Sequence, residues 1–463
     1  MKCALLVTLA FFPLACASSP APTSHAPQPS VAPDRAAPTA GAHAADLAPL
    51  LASIRADRLR TDVDRLAGFG TRHTLSETAS TTHGIGAARV WIQSELRAVK
   101  GVQVALEPHL VPADQKRLIR DTEIVDVVGL LPGAMPQAAA RRYYVVAHYD
   151  SRATDVMDAV HDAPGANDDA SGVAVLLELA RTLSARPLDA TVVFLATAGE
   201  EQGLYGARAH AHAAREQHLD VRAVLNDDIV GDPSDPSGGR HEDAIRVFSA
   251  GILPGATPEE VAEVRKLGAE NDSPSRELAR FVAEVARTEH LDLEPRLVFR
   301  TDRFLRSGDH VAFLEEGFPA AIRFTTVAET FTRQHADVHL ENGRRTGDLP
   351  EFVSGDYLAK VARLEAAVLV HLANAPSSPP RAVVDTSALA NDTLVRWEAS
   401  PEPDVAGYEV VWRATTEPEW SHVADAGPGL DARLPVSKDD VFIGVRAYDR
   451  DGWRSPVTFA RAR

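Results

Sequence analysis

The sequence predicts an α/β protein with a mostly parallel mixed sheet sandwiched by helices, followed by a smaller all-β region. Three observations lead to this fold class. Four short apolar segments end in polar residues, which is typical of strands buried in a parallel sheet. A strongly amphipathic helix separates the first two segments, and alternation of strands with helices implies parallel pairing. Beyond a Pro-rich boundary near residue 375, short strands alternate with turns.

Composition places the chain among soluble globular proteins. It has 463 residues, of which 45% are hydrophobic and 24% charged, enough for two or three domains. Its formal net charge of −17 argues against nucleic acid as a partner, because phosphate binding needs a basic patch.

The N-terminus predicts export. Lys2 precedes an apolar stretch over residues 4–15 that is too short to span a membrane. Residues 15–17 (Ala-Cys-Ala) fit a cleavage site for free secretion, whereas residues 14–16 (Leu-Ala-Cys) resemble a bacterial lipoprotein box. We favour the lipoprotein interpretation, in which a lipid on Cys16 attaches the protein to the cell envelope.

A tether follows this leader. Residues 18–45 contain six prolines among Ala, Ser and Thr, and such a composition cannot form a core. Apolar residues recur at helical spacing from Leu47 to Leu66, so folding is expected to begin near Asp46. Both cysteines of the sequence precede the tether, and a metal site would therefore need His, Asp and Glu.

The residues at the predicted strand ends are metal-ligand types. The predicted strands are residues 143–147, 191–196, 223–225 and 320–324, and the helix is residues 172–183. At the strand ends, or in the loops after them, lie His148 and Asp150, Glu200 and Glu201, Asp227 and Asp228, and His335; Asp168 and Asp169 precede the helix. Each alone usually has a structural role. Together they point to one site, because sites form at the carboxyl edge of such sheets.

Five motifs carry a resemblance that covers residues 46–374. They are residues 148–151 (His-Tyr-Asp-Ser), 165–172 (Gly-Ala-Asn-Asp-Asp-Ala-Ser-Gly), 199–206 (Gly-Glu-Glu-Gln-Gly-Leu-Tyr-Gly), 226–231 (Asn-Asp-Asp-Ile-Val-Gly) and 334–337 (Gln-His-Ala-Asp). In order and spacing they resemble the di-zinc aminopeptidases of peptidase family M28, of the secreted leucyl type. The resemblance implies the zinc-peptidase fold.

The resemblance also implies two zinc ions and their ligands. His148 and Asp228 would hold one ion, Glu201 and His335 the other, and Asp168 would bridge both. Asp227 and His339 are the rival ligands beside Asp228 and His335. Two metals can share one hydroxide and polarise the substrate carbonyl.

Further roles follow from the same resemblance. Glu200 would be the general base that activates the hydroxide, with Glu200 and Glu201 aimed differently by a loop. Asp150 would accept the second ring N–H of His148 and so support catalysis. A cis peptide bond is implied between Asp168 and Asp169. Gln334 replaces a Tyr that helps to bind the oxyanion in several relatives. Residues 307–310 (Ser-Gly-Asp-His) resemble a loop near the substrate pocket, or else cap a helix.

The C-terminal region is similar to a fibronectin type III domain, an immunoglobulin-like sandwich. Trp397 and residues 406–413 and 441–449 carry this likeness. The predicted organisation is a leader (1–17), the tether (18–45), the di-zinc peptidase domain (46–374) and the fibronectin-like domain (375–463). Few contacts are expected to cross the last boundary, and Trp420 and Trp453 are expected to be exposed.

The predicted function is hydrolysis of N-terminal, apolar residues from peptides by a metallo-aminopeptidase. Three alternatives remain. A glutaminyl cyclase, which is an acyltransferase with a single zinc, should lack part of the ligand set. A carboxypeptidase of the same family usually carries an extra inserted domain. An inactive relative kept as a binding module should have lost Glu200 or a ligand.

Overall fold

The computed structural model describes residues 44–463, so the predicted leader, nearly all of the tether and both cysteines lie outside the described residues. No helix in this part of the chain is long and apolar enough to cross a bilayer. The described α-helices are α1 (Ala44–Ala52), α2 (Ala56–Ala67), α3 (Gly84–Ala98), α4 (Ala170–Leu183), α5 (Glu200–Gly203), α6 (Tyr205–Glu216), α7 (Pro258–Leu267), α8 (Pro274–Thr288), α9 (His310–Glu315) and α10 (Gly355–Asn374). Two 3-10 helices span Ala269–Asn271 and Pro350–Phe352.

The strands of the first part of the chain form two sheets. They are β1 (Gln103–Val111), β2 (Thr122–Leu131), β3 (Arg141–His148), β4 (Thr191–Thr197), β5 (Asp220–Asp227), β6 (Ala244–Ser249), β7 (Glu294–Val298), β8 (Ala321–Thr326), β9 (His339–Glu341) and β10 (Arg344–Thr346). The first eight make one sheet in the order β1-β2-β4-β3-β5-β8-β6-β7. Its centre, β4-β3-β5-β8, is parallel, whereas β1, β2 and β4 pair antiparallel and β6 runs antiparallel to β8. The prediction of a mixed sheet is confirmed, and four of its seven strand pairs are parallel where a mostly parallel sheet was expected.

Helices cover both faces of this sheet. Along β3, Val145 belongs to the larger core with α4 and α10, while Tyr144 and Val146 belong to a second core with α6 and α9. Alternate side chains of a strand point to opposite faces, so a strand in the middle of three layers is apolar throughout. The predicted helix of residues 172–183 is α4, which starts two residues earlier. The helical pattern from Leu47 to Leu66 divides into α1 and α2.

The C-terminal region consists of two four-stranded sheets around a core of their own. Its strands are β11 (Ala382–Val384), β12 (Thr393–Trp397), β13 (Val405–Ala414), β14 (His422–Gly427), β15 (Asp431–Leu434), β16 (Val441–Asp449), β17 (Thr458–Phe459) and β18 (Arg461–Ala462). The sheet orders are β15-β12-β11-β18 and β14-β13-β16-β17. Trp397, Tyr408 and Val445 are among the side chains packed between them. The region is therefore all-β, as predicted.

The two regions share a well-packed polar junction. Arg413 of β13 pairs with Asp272 at 2.5 Å, and neither side chain is more than 2% exposed. Trp420 donates from Nε1 to Glu277 of α8 at 2.8 Å. Trp453 is buried in the larger core. The expectations that few contacts cross this boundary and that both tryptophans are exposed are wrong, because buried ion pairs at such a junction leave no periodic pattern in the sequence.

Candidate active site

Five of the predicted site residues meet at the carboxyl edge of the parallel strands. His148 ends β3, Glu201 lies in α5 just after β4, and Asp228 follows β5. Asp168 precedes α4, and His335 lies in the loop after β8. The chain thus brings together residues from five separate segments, as expected where parallel strands end side by side.

The distances divide these residues into two groups that share Asp168. Asp168 Oδ1 is 3.1 Å from His148 Nε2, which is 3.9 Å from Asp228 Oδ1. The other oxygen, Asp168 Oδ2, is 2.8 Å from His335 Nε2, which is 3.0 Å from Glu201 Oε1. Each group offers ligand atoms within 4.8 Å of one another, so each could hold a metal ion. Three protein ligands per ion, all imidazole or carboxylate, suit catalytic zinc.

Burial and charge strengthen the fit to a cation. His148 Nε2 and Glu201 Oε1 are buried atoms that form no hydrogen bond, although each lies close to an oppositely charged group of the cluster. Burial disfavours the imidazolium of His148, but the carboxylates of Asp150, Asp168 and Asp228 outweigh it and raise its pKa well above the ordinary value. Burial likewise opposes the charge on Asp168, yet His335 and His148 hold its pKa well below the ordinary range. The electrostatics of the cluster therefore suit a bound cation.

Glu200 is oriented by a helix and not by the predicted loop. Gly199, with φ of 75°, turns the chain so that α5 begins with Glu200 and Glu201. Their backbone N–H groups donate to the two oxygens of Asp150, at 3.2 and 3.1 Å. The Glu200 carboxylate makes no hydrogen bond or ion pair within the described chain and lines the same cavity as Asp168. Burial, followed by the nearby charges of Asp228 and Glu201, raises its pKa well above the usual range despite the opposing charge of His148.

Asp150 is a positioning residue. It is fully buried, and His148 Nδ1 is 3.2 Å from its backbone carbonyl and 3.5 Å from its carboxylate. The hydrogen bond that fixes the imidazole therefore goes to the main chain, while the carboxylate holds α5. Thr74 also donates to this carboxylate, at 3.2 Å.

The rival ligands lie elsewhere. Asp227 is buried beside Glu365, and burial and this neighbour raise its pKa well above the ordinary value. His339 is exposed in β9 and its Nδ1 is 2.8 Å from the carbonyl of Asp337. Gln334 lines the cavity and donates from its side-chain amide to Asp168 Oδ2 at 2.9 Å. The peptide bond between Asp168 and Asp169 is cis, which confirms that expectation.

The segment of residues 307–310 reaches the site, and none of its side chains caps the helix that follows it. Asp309 occupies the N-cap position of α9, but its carboxyl group does not accept a helix N–H. Instead the Thr197 hydroxyl donates to it. Burial raises the pKa of Asp309 to about 7. Ser307 lines the cavity beside the metal-ligand types.

Two supporting residues were missed by sequence reasoning. The guanidinium of Arg72, fully buried, donates to the carbonyls of Tyr149, Leu66, Pro164 and Gly165. It thereby ties together the segments that carry His148 and Asp168.

Asp348 accepts the backbone N–H groups of Asn167 at 2.7 Å and Asp168 at 2.8 Å. The side chains of Arg72 and Asp348 fix the loops and not the candidate ligands themselves, so no sequence motif indicates them.

Arg323 is a third such residue, and here the sequence held a signal. Its guanidinium is 2.8 Å from Asp228 Oδ1 and 3.3 Å from Asp302, with no exposure to solvent. A charged residue in the otherwise apolar strand of residues 320–324 requires a buried partner. This pairing balances the carboxylate of Asp228 and fixes its direction.

The backbone at the site adopts unusual conformations. His335, Leu204 and Ile229 have φ of 52°, 59° and 64°. A side chain rarely tolerates this left-handed region, and such residues cluster at functional sites where the surroundings over-determine them. His335 is itself a candidate ligand, Leu204 follows the helix that carries Glu201, and Ile229 follows Asp228.

The cluster opens into a cavity of about 490 Å³. Asp168, Glu200, Glu201, Asp228 and His335 all line it. A second cavity, of about 590 Å³, shares Arg303, Arg306 and Ser307 with the first, so the cleft continues beyond the cluster.

Comparison with known proteins identifies relatives along most of the chain. Residues 126–343 match the model of Peptidase family M28. A probable zinc metalloprotease of Pyricularia oryzae is 45% identical over 423 residues, covering 89% of this chain and 84% of that protein. Another, from Leptosphaeria maculans, is 42% identical over 415 residues, covering 89% and 95%. A match over 89% of this chain needs more residues than the 374 that precede the C-terminal region, so the match extends into the C-terminal sheets.

Two solved structures also match at low identity. LapB from Legionella pneumophila is 18% identical with a TM-score of 0.49, and the match covers 71% of this chain and 75% of LapB. Glutaminyl cyclase from Porphyromonas gingivalis is 16% identical with a TM-score of 0.46, covering 68% and 98%.

Proposed function

The chain belongs to peptidase family M28 and is a zinc metallopeptidase, and from this premise we propose that it is a di-zinc aminopeptidase acting on short peptides. The observation that carries the proposal is the placement of Asp168, whose two oxygens face His148 and His335 separately. This arrangement supports one ion held by His148, Asp168 and Asp228, and a second held by Asp168, Glu201 and His335.

Zinc bound there would supply a Lewis acid for the scissile carbonyl and would make a bound water more acidic. The protein's part in the proton transfers falls to Glu200. Its unpartnered carboxylate takes a proton as the water oxygen bonds to the carbonyl carbon, and returns it to the leaving amine as the C–N bond breaks. This carboxylate lines the cavity without a partner of its own in the described chain, which suits a base that must both accept and release a proton.

The remaining residues of the site keep these groups in place. Asp150 holds both the imidazole of His148 and the start of α5. Arg323 directs Asp228, and Gln334 contacts the shared carboxylate of Asp168. Of these, only Asp228, Gln334 and Asp168 also line the cavity.

Of the four carboxylates that line the cavity, Glu200 is the one not assigned to a metal ion, and its negative charge supports a substrate with a free ammonium group. Asp168, Glu200, Glu201 and Asp228 surround the position where the scissile bond must lie. A carboxypeptidase of the same family is the second candidate, because arginines also line the cavity and bind carboxylates well.

Blocked peptides separate these functions. We expect the zinc-loaded protein to hydrolyse leucyl-alanyl-alanine and its C-terminal amide, to leave the N-acetylated peptide intact, and to lose activity with a chelator. Cleavage of the N-acetylated but not the amidated peptide would establish a carboxypeptidase. Ammonia release from a glutaminyl peptide without hydrolysis would establish a glutaminyl cyclase.

We further propose that residues 46–374 form the peptidase domain and residues 375–463 a fibronectin type III domain. The two four-stranded sheets around one core support the second assignment. The apolar segment before Cys16 supports export, either as an envelope lipoprotein or as a secreted enzyme. Mass spectrometry of the exported protein distinguishes a lipidated Cys16 from a free N-terminus.

A further inference from the structure

The lining of the catalytic cavity contains as many arginines as carboxylates. Four arginines line it, namely Arg117, Arg152, Arg303 and Arg306, and its large aliphatic side chains are Leu204 and Leu305. A cavity that binds apolar residues would instead be expected to have a mostly hydrophobic lining.

Two of these arginines already have an anionic partner. Arg303 pairs with Glu329 at 2.7 Å and Arg306 pairs with the same oxygen at 3.1 Å. Glu329 is buried and accepts Arg246 as well. Arg303 and Arg306 therefore already belong to an ion-pair network within the protein.

The other two have no carboxylate partner within the described residues. Arg117 donates only to the carbonyl of Glu201, at 3.5 Å. Arg152 donates to the carbonyls of Ala153 and Thr154, at 3.3 and 3.2 Å. Both are half-buried, and these long bonds to neutral acceptors leave most of the five donors of each guanidinium unused.

Arg117 and Arg152 are both connected to the group of site residues that contains Glu201 and His335. Arg117 contacts the backbone of Glu201 itself. The segment of Arg152 is fastened to the segment of His335, since Thr154 and Asp337 exchange two hydrogen bonds of 3.0 Å. Arg117 and the segment of Arg152 are therefore attached to the segments that carry Glu201 and His335.

We propose that Arg117 and Arg152 bind a carboxylate of the substrate, so that the enzyme prefers peptides with a negative charge close to the scissile bond. This assignment rests on the proposed peptidase function. A carboxylate could come from the free C-terminus of a dipeptide or from an Asp or Glu side chain next to the bond. In either case the planar guanidinium offers paired donors that match the two oxygens.

Four substrates test this assignment and distinguish the two sources. They are leucyl-alanine, leucyl-alanine amide, leucyl-aspartate amide and leucyl-asparagine amide. If the terminal carboxylate is recognised, the acid should exceed its amide in kcat/KM by about tenfold or more, the size of one charge-assisted hydrogen bond. If the side chain is recognised, the aspartate amide should exceed the asparagine amide by a similar factor. The difference is expected mainly in KM.

Variants assign the effect to the arginines. Arg117→Gln and Arg152→Gln should each bring the ratio of charged to neutral substrates towards one, whereas Arg152→Lys should retain part of it. Arg97→Gln, an exposed control at the end of α3, should retain the full ratio. Zinc content and circular dichroism establish that each variant is folded and loaded.

Two results would overturn the assignment. One is equal kcat/KM for charged and neutral substrates in the wild-type enzyme. The other is an unchanged ratio in both glutamine variants. Either result would leave the peptidase function intact, whereas hydrolysis of none of the four peptides by zinc-loaded protein would overturn the proposed function together with the assignment.

Discussion

Removing the charge of Arg413 tests whether the junction between the two regions contributes to stability. Its guanidinium lies over the rings of Trp420 and Phe442 and pairs with Asp272, where both partners are buried. The Arg413→Met variant keeps an apolar stem of similar length but leaves Asp272 with Arg280, at 3.6 Å, as its ion-pair partner in the described part of the chain. Breaking a buried pair by removing one partner costs about 3–5 kcal/mol, and because Arg280 remains we expect about 3 kcal/mol.

Urea unfolding followed by tryptophan fluorescence measures this loss. Arg433→Met is the matched control, because Arg433 pairs with Asp392 at the surface with 37% and 40% exposure. Such a pair is worth less than about 1 kcal/mol. Combining Arg413→Met with Asp272→Asn removes the unpaired charge, so this double variant should recover most of the stability.

Two outcomes would refute this reasoning. A loss no greater in Arg413→Met than in the Arg433→Met control would show that the junction pair is not buried in solution. A double variant no more stable than Arg413→Met would show that packing, and not the unpaired carboxylate, determines the loss.

Four further predictions follow from the site and the junction. Glu200→Gln should keep its zinc but lose about 10²–10⁴ in kcat, and near-normal turnover with full metal content would contradict its role as base. Asp168→Asn should lose more zinc than His148→Ala by metal analysis, because Asp168 touches both halves of the cluster; equal retention would argue against bridging. Burial raises the pKa of Glu277 from 4.5 to about 7, so its contribution to stability is complete below about pH 4.5 and is lost as the pH rises to 7. The side chain introduced by Glu277→Gln cannot ionise. Between about pH 5 and 8, the free energy of unfolding of this variant should therefore change less than that of the wild-type protein, by up to about 3 kcal/mol. Identical pH profiles of unfolding for the two proteins would contradict this. Truncation after Asn374 should lower the melting temperature and promote aggregation, because it uncovers the buried junction, and a truncated protein as stable as the full chain would show that the junction contributes little.

The parallel strands and the ligand types could be predicted because their signal is local. A strand buried on both faces is apolar along its length, and its first polar residues mark the edge of the sheet. His148 was found in this way, one position beyond the apolar run, whereas the choice of Asp228 over Asp227 needed the family resemblance. The pairing of Asp168 with both histidines needed the family resemblance, since no spacing in the sequence connects residues 168 and 335.

The orientation of Glu200 could not be predicted from its neighbours. It depends on the left-handed turn at Gly199 and on the carboxylate of Asp150, fifty positions earlier in the chain. The same holds for Arg72, which donates to a carbonyl 93 positions away, and for Asp348, which accepts from an N–H group 180 positions away. Interactions of this range depend on the completed fold, and a single sequence shows only that these residues are polar.

The carboxylates of the site can be ordered by what neutralises each of them. Asp168 faces two imidazoles, Asp228 faces Arg323, and Asp150 accepts two backbone N–H groups at the start of a helix. Glu201 faces His335. Glu200 is the carboxylate of the cavity whose oxygens have no partner in the described chain, although it is next to Glu201 in sequence.

That difference explains how adjacent glutamates can have different roles. A carboxylate paired with a cation or with N–H groups has a fixed direction and a stabilised charge, which suits a ligand. An unpartnered carboxylate among other negative charges binds a proton more readily, which suits a group that must accept one and release it. The proposed role of Glu200 as base is therefore supported by the partners that the fold gives to the other three carboxylates of the cavity, and not by the Glu-Glu pair alone.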